Sequence, residues 1–498
     1  MSHLSRRLQN LCLLILSLFA VLIVSSNRSF ALTLYQKDGV AANATIELAA
    51  RYEYWEWFSP EKQDDDQNCY GFFFTRSRLG LGLTGAKWGA FLQLQDVHMW
   101  GLPDESISSA PAGPLGAGAI YFAHGRQSSY HSTAIRKAYI ESNDLPLKGL
   151  CLKVGRFDYT DGLEVTYNEK KLNWIKKMRV AERLIGPFIW SSFWRSFDGL
   201  KLALDKQEFN ITGIVTHPTQ GGFENDIQTT IYGVDLATLT GTIKYDTLFK
   251  ENEARLFYFY YQDKRRAPKA DNTPSGSGLN SGSIIIHTIG AHLVGIHPAF
   301  SGSVDWLLWG ALQTGDWGRL EHRAWAWALE FGYQFDRIKW SPWIRVGYEV
   351  GSGDDDPEDM KHHTFYQLVP TTRKYALFPF YNMMNSEDLF IQAILRPSTK
   401  VSIRTDLHRL RLRSGSDRWY MGAGPTQDDG SIFGYVGRPC FGDQDLGMLL
   451  DITLIYRVSS HLWFTAYYGH VFGQDVIKNI YPRDRNADYA YLEMGIRF

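Results

Sequence analysis

Trp325-Ala326-Trp327-Ala328-Leu329-Glu330-Phe331-Gly332-Tyr333-Gln334-Phe335 alternates without a break. The odd positions are large and apolar, and the even positions are small or polar. A period of two places successive side chains on opposite faces of a β-strand. A soluble sheet would turn the apolar face to a core. Here the pattern recurs in segments of about ten residues, the length a tilted strand needs to cross a bilayer. Strand-like segments run at 44–55, 70–83, 87–97, 133–142, 148–157, 197–205, 207–216, 227–237, 253–261, 284–294, 303–313, 323–335, 342–351, 387–396, 401–412, 446–458, 461–472 and 488–498. Their connections alternate between short ones, such as Asp336 to Ser341 and Ser459 to His461, and long polar ones at 262–282, 352–386 and 413–445. Short turns on one side of a membrane and long loops on the other produce this rhythm. The fold class expected is all-β: a single antiparallel transmembrane barrel of about eighteen strands, with sixteen as the alternative.

The rest of the chain agrees. Its 498 residues carry 52 Lys+Arg against 53 Asp+Glu, and 14% are aromatic. The neutral balance argues against a nucleic-acid partner, and 44% hydrophobic residues exclude a disordered chain. Residues 1–31 read as a secretory signal, with Arg6 and Arg7 before an apolar run from Leu11 to Val24 and Ser29-Phe30-Ala31 at the cleavage site. Residues 32–498 then form the barrel, which makes outer-membrane lipid a partner and the outer membrane of a Gram-negative bacterium the location. Of the 4 cysteines, Cys12 falls in the leader, and Cys69, Cys151 and Cys440 allow at most one bridge. The last segment puts Ala490, Leu492, Met494, Ile496 and Phe498 on one face. This ending resembles the signature read by the barrel-assembly machinery.

If the apolar parity faces lipid, the opposite parity lines a lumen. Its basic members are Arg51, Arg76, Arg78, Lys137, Lys153, Lys201, Arg255, Arg345, Arg404, Arg457 and Arg497. Its acidic members are Glu47, Glu53, Glu141, Glu253, Asp305, Glu330, Glu349, Asp406, Asp451 and Glu493. The plainer reading of most of these is ladders of paired charges that hold the wall. The functional reading is a channel for a hydrophilic solute, with Arg51, Arg76 and Arg78 clustered on neighbouring strands. Arg409, Arg411 and Arg413 precede a long loop where the parity slips as at a bulge.

Three motifs stand in order between residues 155 and 199: Gly155-Arg156, Glu182-Arg183-Leu184-Ile185-Gly186 followed by Trp190, and Arg195-Ser196-Phe197-Asp198-Gly199. A second series runs through Gln313-Thr314-Gly315-Asp316, Ser352-Gly353-Asp354, Pro357, Asp359, Thr364-Phe365 and Leu368-Val369-Pro370. In order and spacing these resemble the alginate-export family of outer-membrane proteins. The resemblance implies a monomeric barrel that passes an anionic polysaccharide such as alginate through an arginine-rich lumen, with periplasmic export partners. It also implies that Arg156, Arg183 and Arg195 bind carboxylates while Asp198 holds one of these arginines. A guanidinium meets a carboxylate in two-point contact, so a series of them suits a moving anionic chain. A general or substrate-specific diffusion porin is the alternative function, and an enzyme embedded in a barrel wall is a third.

Other chemistry has little support. Asp354, Asp356 and Asp359 are a weak Ca²⁺ candidate without EF-hand spacing. No phosphate loop, zinc-protease or hydrolase-elbow motif occurs, and no cofactor is expected.

Overall fold

A computed structural model describes residues 32–60, 67–144, 146–248, 250–371 and 376–498. The leader 1–31 lies outside the described residues. Eighteen antiparallel strands form a closed ring. In chain order they are Val40–Glu56, Cys69–Thr84, Trp88–Trp100, Ser129–Asn143, Leu150–Phe157, Phe197–Asp205, Phe209–Pro218, Val234–Ile243, Asn252–Asp263, Ile284–Ala299, Gly302–Trp317, Leu320–Phe335, Trp343–Gly351, Ser386–Leu395, Val401–Leu412, Asp445–Arg457, Leu462–Gly473 and Asn486–Arg497. Each pairs with the next, and the last returns to the first in a register from Glu47↔Arg497 to Glu56↔Asp488. Beyond that ladder, Phe498 and Ile46 exchange backbone hydrogen bonds of 2.8 and 2.9 Å. Closure gives each of the eighteen strands a neighbour on both sides, so their ladder N–H and C=O groups find partners where the surroundings offer no water.

The seventeen other expected strands lie within a few residues of the observed ones; the eighth does not. It was expected at 227–237 and runs instead over Val234–Ile243. Residues before it fold back on the preceding strand's end, with a bridge between Thr219 and Thr230. The sequence reading also omits the short strand Leu32–Lys37, which pairs with the start of Val40–Glu56, and the hairpin Arg418–Gly422 with Tyr435–Pro439 in a long loop. The expected slip of parity does not occur on Val401–Leu412, where Leu407, Arg409 and Arg411 stay on one face; the register shift opposite Leu410 and Arg411 places its extra residue, Leu446, on the partner strand. Unbroken alternation thus leaves Arg409, Arg411 and Arg413 exposed on the outer face at the long-loop rim.

Parity works as the alternation requires. Trp327 and Phe331 are exposed outward at 40% and 50%, while Glu330 is buried inside. The inner face departs from a purely polar lining, because Phe257, Phe259, Tyr261 and Trp309 point inward and are buried. They are covered by the long loops, which fold into the barrel: Leu184, Ile185, Phe365, Leu368 and Val369 pack in the same cluster. Loop segments 158–196 and 352–371 meet in a parallel bridge, Ile185 to Val369. Inward aromatic residues are thus the core of a plugged barrel, held by burial of apolar surface.

In a chain whose native cysteines are replaced by serine, a cysteine at Leu329 should resist a water-soluble thiol reagent in bilayers and quench with lipid-borne labels. Easy aqueous labelling there would reverse the assignment of faces, since a one-residue slip exchanges them.

Candidate pore site

The segment 158–196 leaves the strand ending at Phe157 and returns at Phe197, and these two residues are cross-strand partners. Just below them Arg156 pairs with Asp198 and Gly155 with Gly199. Arg156 Nε and Nη2 donate to the two oxygens of Asp198, both at 2.7 Å, and Nη2 also donates to the Gln228 carbonyl at 2.8 Å. Leu152, Val154, Leu200 and Leu202 share the parity of this pair and are exposed outward. Asp198 thus holds Arg156, as expected, but the pair faces away from the lumen, which corrects the expected role of Arg156 in binding solute. Gly155 has φ +123, and a Cβ on it would stand 2.3 Å from the Ala138 carbonyl oxygen; one on Gly199 would stand 2.1 Å from that of Val215. Neither position has room for a side chain. The Gly-Arg and Asp-Gly motifs thus clamp the neck of the inward loop.

Inside the lumen the loop forms a helix, Lys170–Ile175, continued by a π-helical turn, Lys176–Val180. Glu169 caps it through the backbone N–H of Lys171 and Leu172. Leu172, Ile175 and Val180 are buried in an apolar cluster with Val294, Leu307, Trp343 and Ile394 of the wall. That packing aims a row of cations at wall carboxylates. Lys171 reaches Asp305 at 3.0 Å and Lys176 reaches Glu253 at 2.6 Å. Arg179 Nε lies 2.9 and 3.0 Å from the oxygens of Glu330, and Arg183 pairs with Glu349 at 2.8 Å. Arg345 of the wall joins Glu330 to Asp305 at 2.8 and 3.0 Å. In return, loop residues Asp161 and Glu164 hold Arg255 at 2.8 and 2.7 Å. Arg183 and Arg345 are therefore buried structural partners of carboxylates. Arg195 is buried too and donates to the Ala423 carbonyl at 2.8 Å, joining this loop to segment 413–444.

The opposite arc is built differently. Arg51 is saturated by Glu493 at 2.6 Å, Glu53 at 3.3 Å and the Trp190 carbonyl at 3.2 Å. Next to it, three guanidiniums surround the Trp194 ring of the inward loop: Arg78 at 3.7 Å, Arg76 at 4.6 Å and Arg136 at 5.0 Å from its centre. Arg76 donates to the Ser191 carbonyl at 3.3 Å and makes no salt bridge among the described residues. Arg78 bonds Gln95 at 2.7 Å and Glu47 at 3.2 Å. Arg136 bonds Gln93 at 3.1 Å and Asp158 at 2.6 Å, and Lys137 reaches the other oxygen of Asp158 at 2.7 Å. Burial alone would raise the Asp158 carboxyl, but Arg136 and Lys137 hold it down at about 2. Buried donors remain without a hydrogen-bond partner here: Arg78 Nη2, Arg136 Nε and Trp194 Nε1. The sequence reading missed Arg136 and Trp194. A register shift beside Arg136 turns both it and Lys137 inward, and alternation selects only one of two adjacent residues.

Arg404 lies against Asp406 at 3.2 Å on the wall. The weak Ca²⁺ candidate does not converge. Asp356 accepts the Glu358 N–H, and Asp359 binds Lys361, while Asp354 receives the N–H of Asp356. Cys69, Cys151 and Cys440 are all free.

A profile of the alginate export family matches residues 72–490, and the chain belongs to that family. No curated protein matches the sequence significantly. Among solved structures, OccAB1 of Acinetobacter baumannii superposes with a TM-score of 0.54 at 10% identity, covering 95% of this chain and 100% of that one. OpdK of Pseudomonas aeruginosa superposes with a TM-score of 0.53 at 9% identity, covering 91% and 98%, and has also been solved with vanillate. The protein is an outer-membrane β-barrel channel of a Gram-negative bacterium.

Two predictions follow from the ion pairs. Glu330→Gln leaves Arg179 and Arg345 short of their shared carboxylate, and removing one partner of such a buried network costs about 3–5 kcal/mol. Urea unfolding in lipid vesicles should show this loss. In the outer segments, burial and the facing Asp417 raise the Asp354 carboxyl to about 7, and burial raises Asp417 to about 6. Asp354 and Asp417 join segments 352–371 and 413–444, with Asp417 accepting from the Asp354 N–H at 3.0 Å and from Thr364 at 2.6 Å. Raised carboxyls bind more protons folded than unfolded, so their contribution is present near pH 4 and lost as pH rises through about 7. Hydrogen-exchange protection factors of these segments, taken relative to the intrinsic rate at each pH, should be lower at pH 8 than at pH 5, and Asp354→Asn should flatten the difference.

Proposed function

We propose that the channel passes anionic, carboxylate-bearing solutes, with an acidic polysaccharide of the alginate kind as the first candidate. The observation that carries this reading is the Arg76–Arg78–Arg136 group around Trp194, where buried N–H donors stand unused and Arg76 makes no salt bridge among the described residues. Guanidinium donors in a fixed fork match carboxylates, and preorganised donors spare the solute part of its desolvation cost. Lys137, Lys153 and Lys201 continue this arc along the neighbouring strands, with Glu141 and Asp158 as the nearby acids. Family membership supports polysaccharide passage.

A second reading is a porin for small carboxylates. The loops that fill the loop-side half of the barrel favour it, as does the likeness to OpdK, whose structure with vanillate holds a small carboxylate. The seam closed by Phe498 supports engagement of the final strand by the assembly machinery.

Planar-bilayer reversal potentials in a salt gradient test the proposal. The wild type should prefer anions, and Arg76→Ala with Arg78→Ala and Arg136→Ala should shift the preference toward cations, whereas Arg156→Ala should not. Cation preference in the wild type would refute it. Blocking by oligouronates but not by neutral oligosaccharides selects the polysaccharide reading; blocking only by monomeric carboxylates selects the small-solute porin.

A further inference from the structure

Away from the Trp194 group, the inner wall carries a cluster with no salt bridge to a loop cation among the described residues. Gln392, Asp406 and Asp451 stand in one row across three adjacent strands, as successive register partners. His408 is on the same strand and face as Asp406, one pleat along. A ring nitrogen of His408 and carboxylate oxygens of Asp406 and Asp451 all lie within 4.8 Å of one another. All four residues are buried: Gln392, Asp406, His408 and Asp451 are each 1% exposed.

Their bonding is incomplete. His408 Nδ1 lies 2.9 Å from both oxygens of Asp388, so that carboxylate accepts its proton and leaves Nε2, which has no partner. Both carboxylate oxygens of Asp406 lack a hydrogen bond, although Arg404 Nε is 3.2 Å from one of them. Both amide atoms of Gln392 lack one as well. Asp451 accepts from the Tyr467 hydroxyl and from the Leu377 N–H at 3.0 Å, and Tyr381 donates to Asp388 at 3.0 Å. Three acids, Asp388, Asp406 and Asp451, thus surround one imidazole with Arg404 as the ion-paired cation. Arg179 of the inward loop is bound to Glu330. Orphaned buried polar atoms are rare in native proteins and call for a partner.

We infer that Asp406, His408 and Asp451, with the Gln392 amide oxygen, form a binding site for a divalent first-row transition metal of the Zn²⁺ class. An imidazole nitrogen and two carboxylates are the donors such an ion takes, and one nitrogen with so few oxygens does not suit Ca²⁺. Asp388 fixes the tautomer: by accepting from Nδ1 it turns the basic nitrogen Nε2 outward, as carboxylates behind metal-ligating histidines do. The dication would supply here the positive charge that Lys171, Lys176, Arg179 and Arg183 supply to the other wall carboxylates. It would also fix the segment 376–385 against the wall, because Leu377 and Tyr381 already hold Asp451 and Asp388.

The test uses the full barrel in detergent micelles, stripped with a chelator, dialysed against Co²⁺ and then titrated with Zn²⁺. The expected result is one Co²⁺ retained per folded chain, with visible d–d absorption that Zn²⁺ abolishes. His408→Gln and the Asp406→Asn, Asp451→Asn pair should lose the bands, with folding verified by heat-modifiable migration. Asp388→Asn should weaken Zn²⁺ about 10–100-fold. Absence of Co²⁺ bands in the wild type, or their retention in folded His408→Gln, would overturn the site. If these variants do not fold, X-ray absorption of the wild-type Co²⁺ form decides. One imidazole among oxygen donors supports the site, and two or more imidazoles place the metal elsewhere, for instance at His322 and His362, and overturn it.

Discussion

A carboxylate buried inside a barrel has to be met by a cation, because neither water nor lipid stabilises it there. Glu330 states the problem: it sits mid-strand beneath the loops, buried at 1% exposure, between Arg179, Arg183 and Arg345. Two of those arginines come from the inward loop. The acidic wall from Glu253 to Glu349 and the basic run from Lys171 to Arg183 are therefore halves of one unit, and neither half is satisfied alone. The apolar contacts of Leu172 and Ile175 bring the helix to the wall, and the ion pairs fix its orientation there. The Arg156–Asp198 clamp outside the barrel closes the neck from which the loop enters.

This division of labour leaves the two sides of the lumen unequal. On the acidic side, cations from the loop cancel wall charge within about 3 Å. On the other side, the loop presents the Trp194 ring to three arginines and Asp158 to Arg136 and Lys137, so fewer of the cations there meet a loop acid. A ring face attracts guanidinium without neutralising it. Charge that is nearly balanced over the whole chain is thus segregated across the pore.

The strand content was legible because lipid enforces alternation over the whole length of each strand: at Trp327 and Phe331 the outside is apolar whatever the inside does. Legibility failed where the inside stopped being aqueous. Phe257, Phe259 and Trp309 break the polar parity because loops cover them, and loop packing leaves no periodic trace in the sequence. The site was less legible than the fold. The motif residues Arg156, Asp198, Gly155 and Gly199 pointed correctly to segment 158–196 but serve its neck, not the solute. The residues that face the pore there, Arg136 and Trp194, depend on a register shift and on a loop conformation, both set by distant partners. The run Lys170-Lys171, Lys176-Lys177, Arg179 was a visible signal of cations at helical spacing, and its meaning needed the acidic wall that it faces.

Near-neutral composition is consequently a poor guide to what such a channel passes. An ion pair at 3 Å acts on a solute as a dipole whose field decays faster than that of a single charge, and at physiological ionic strength even a single charge is screened over about 8 Å. Most of the wall charges in this barrel are paired in that way and contribute little at the distance of a permeating group. Among the described residues Arg76 makes no salt bridge, and Arg78 Nη2 and Arg136 Nε beside it have no hydrogen-bond partner, so positive charge is least cancelled at this group. A solute passing these arginines, as proposed, would meet a field that low-dielectric walls focus. On the proposed reading, selectivity follows from which charges the inward loop leaves uncancelled, and the loop's own sequence would determine that through Trp194 on one flank and Arg179 on the other.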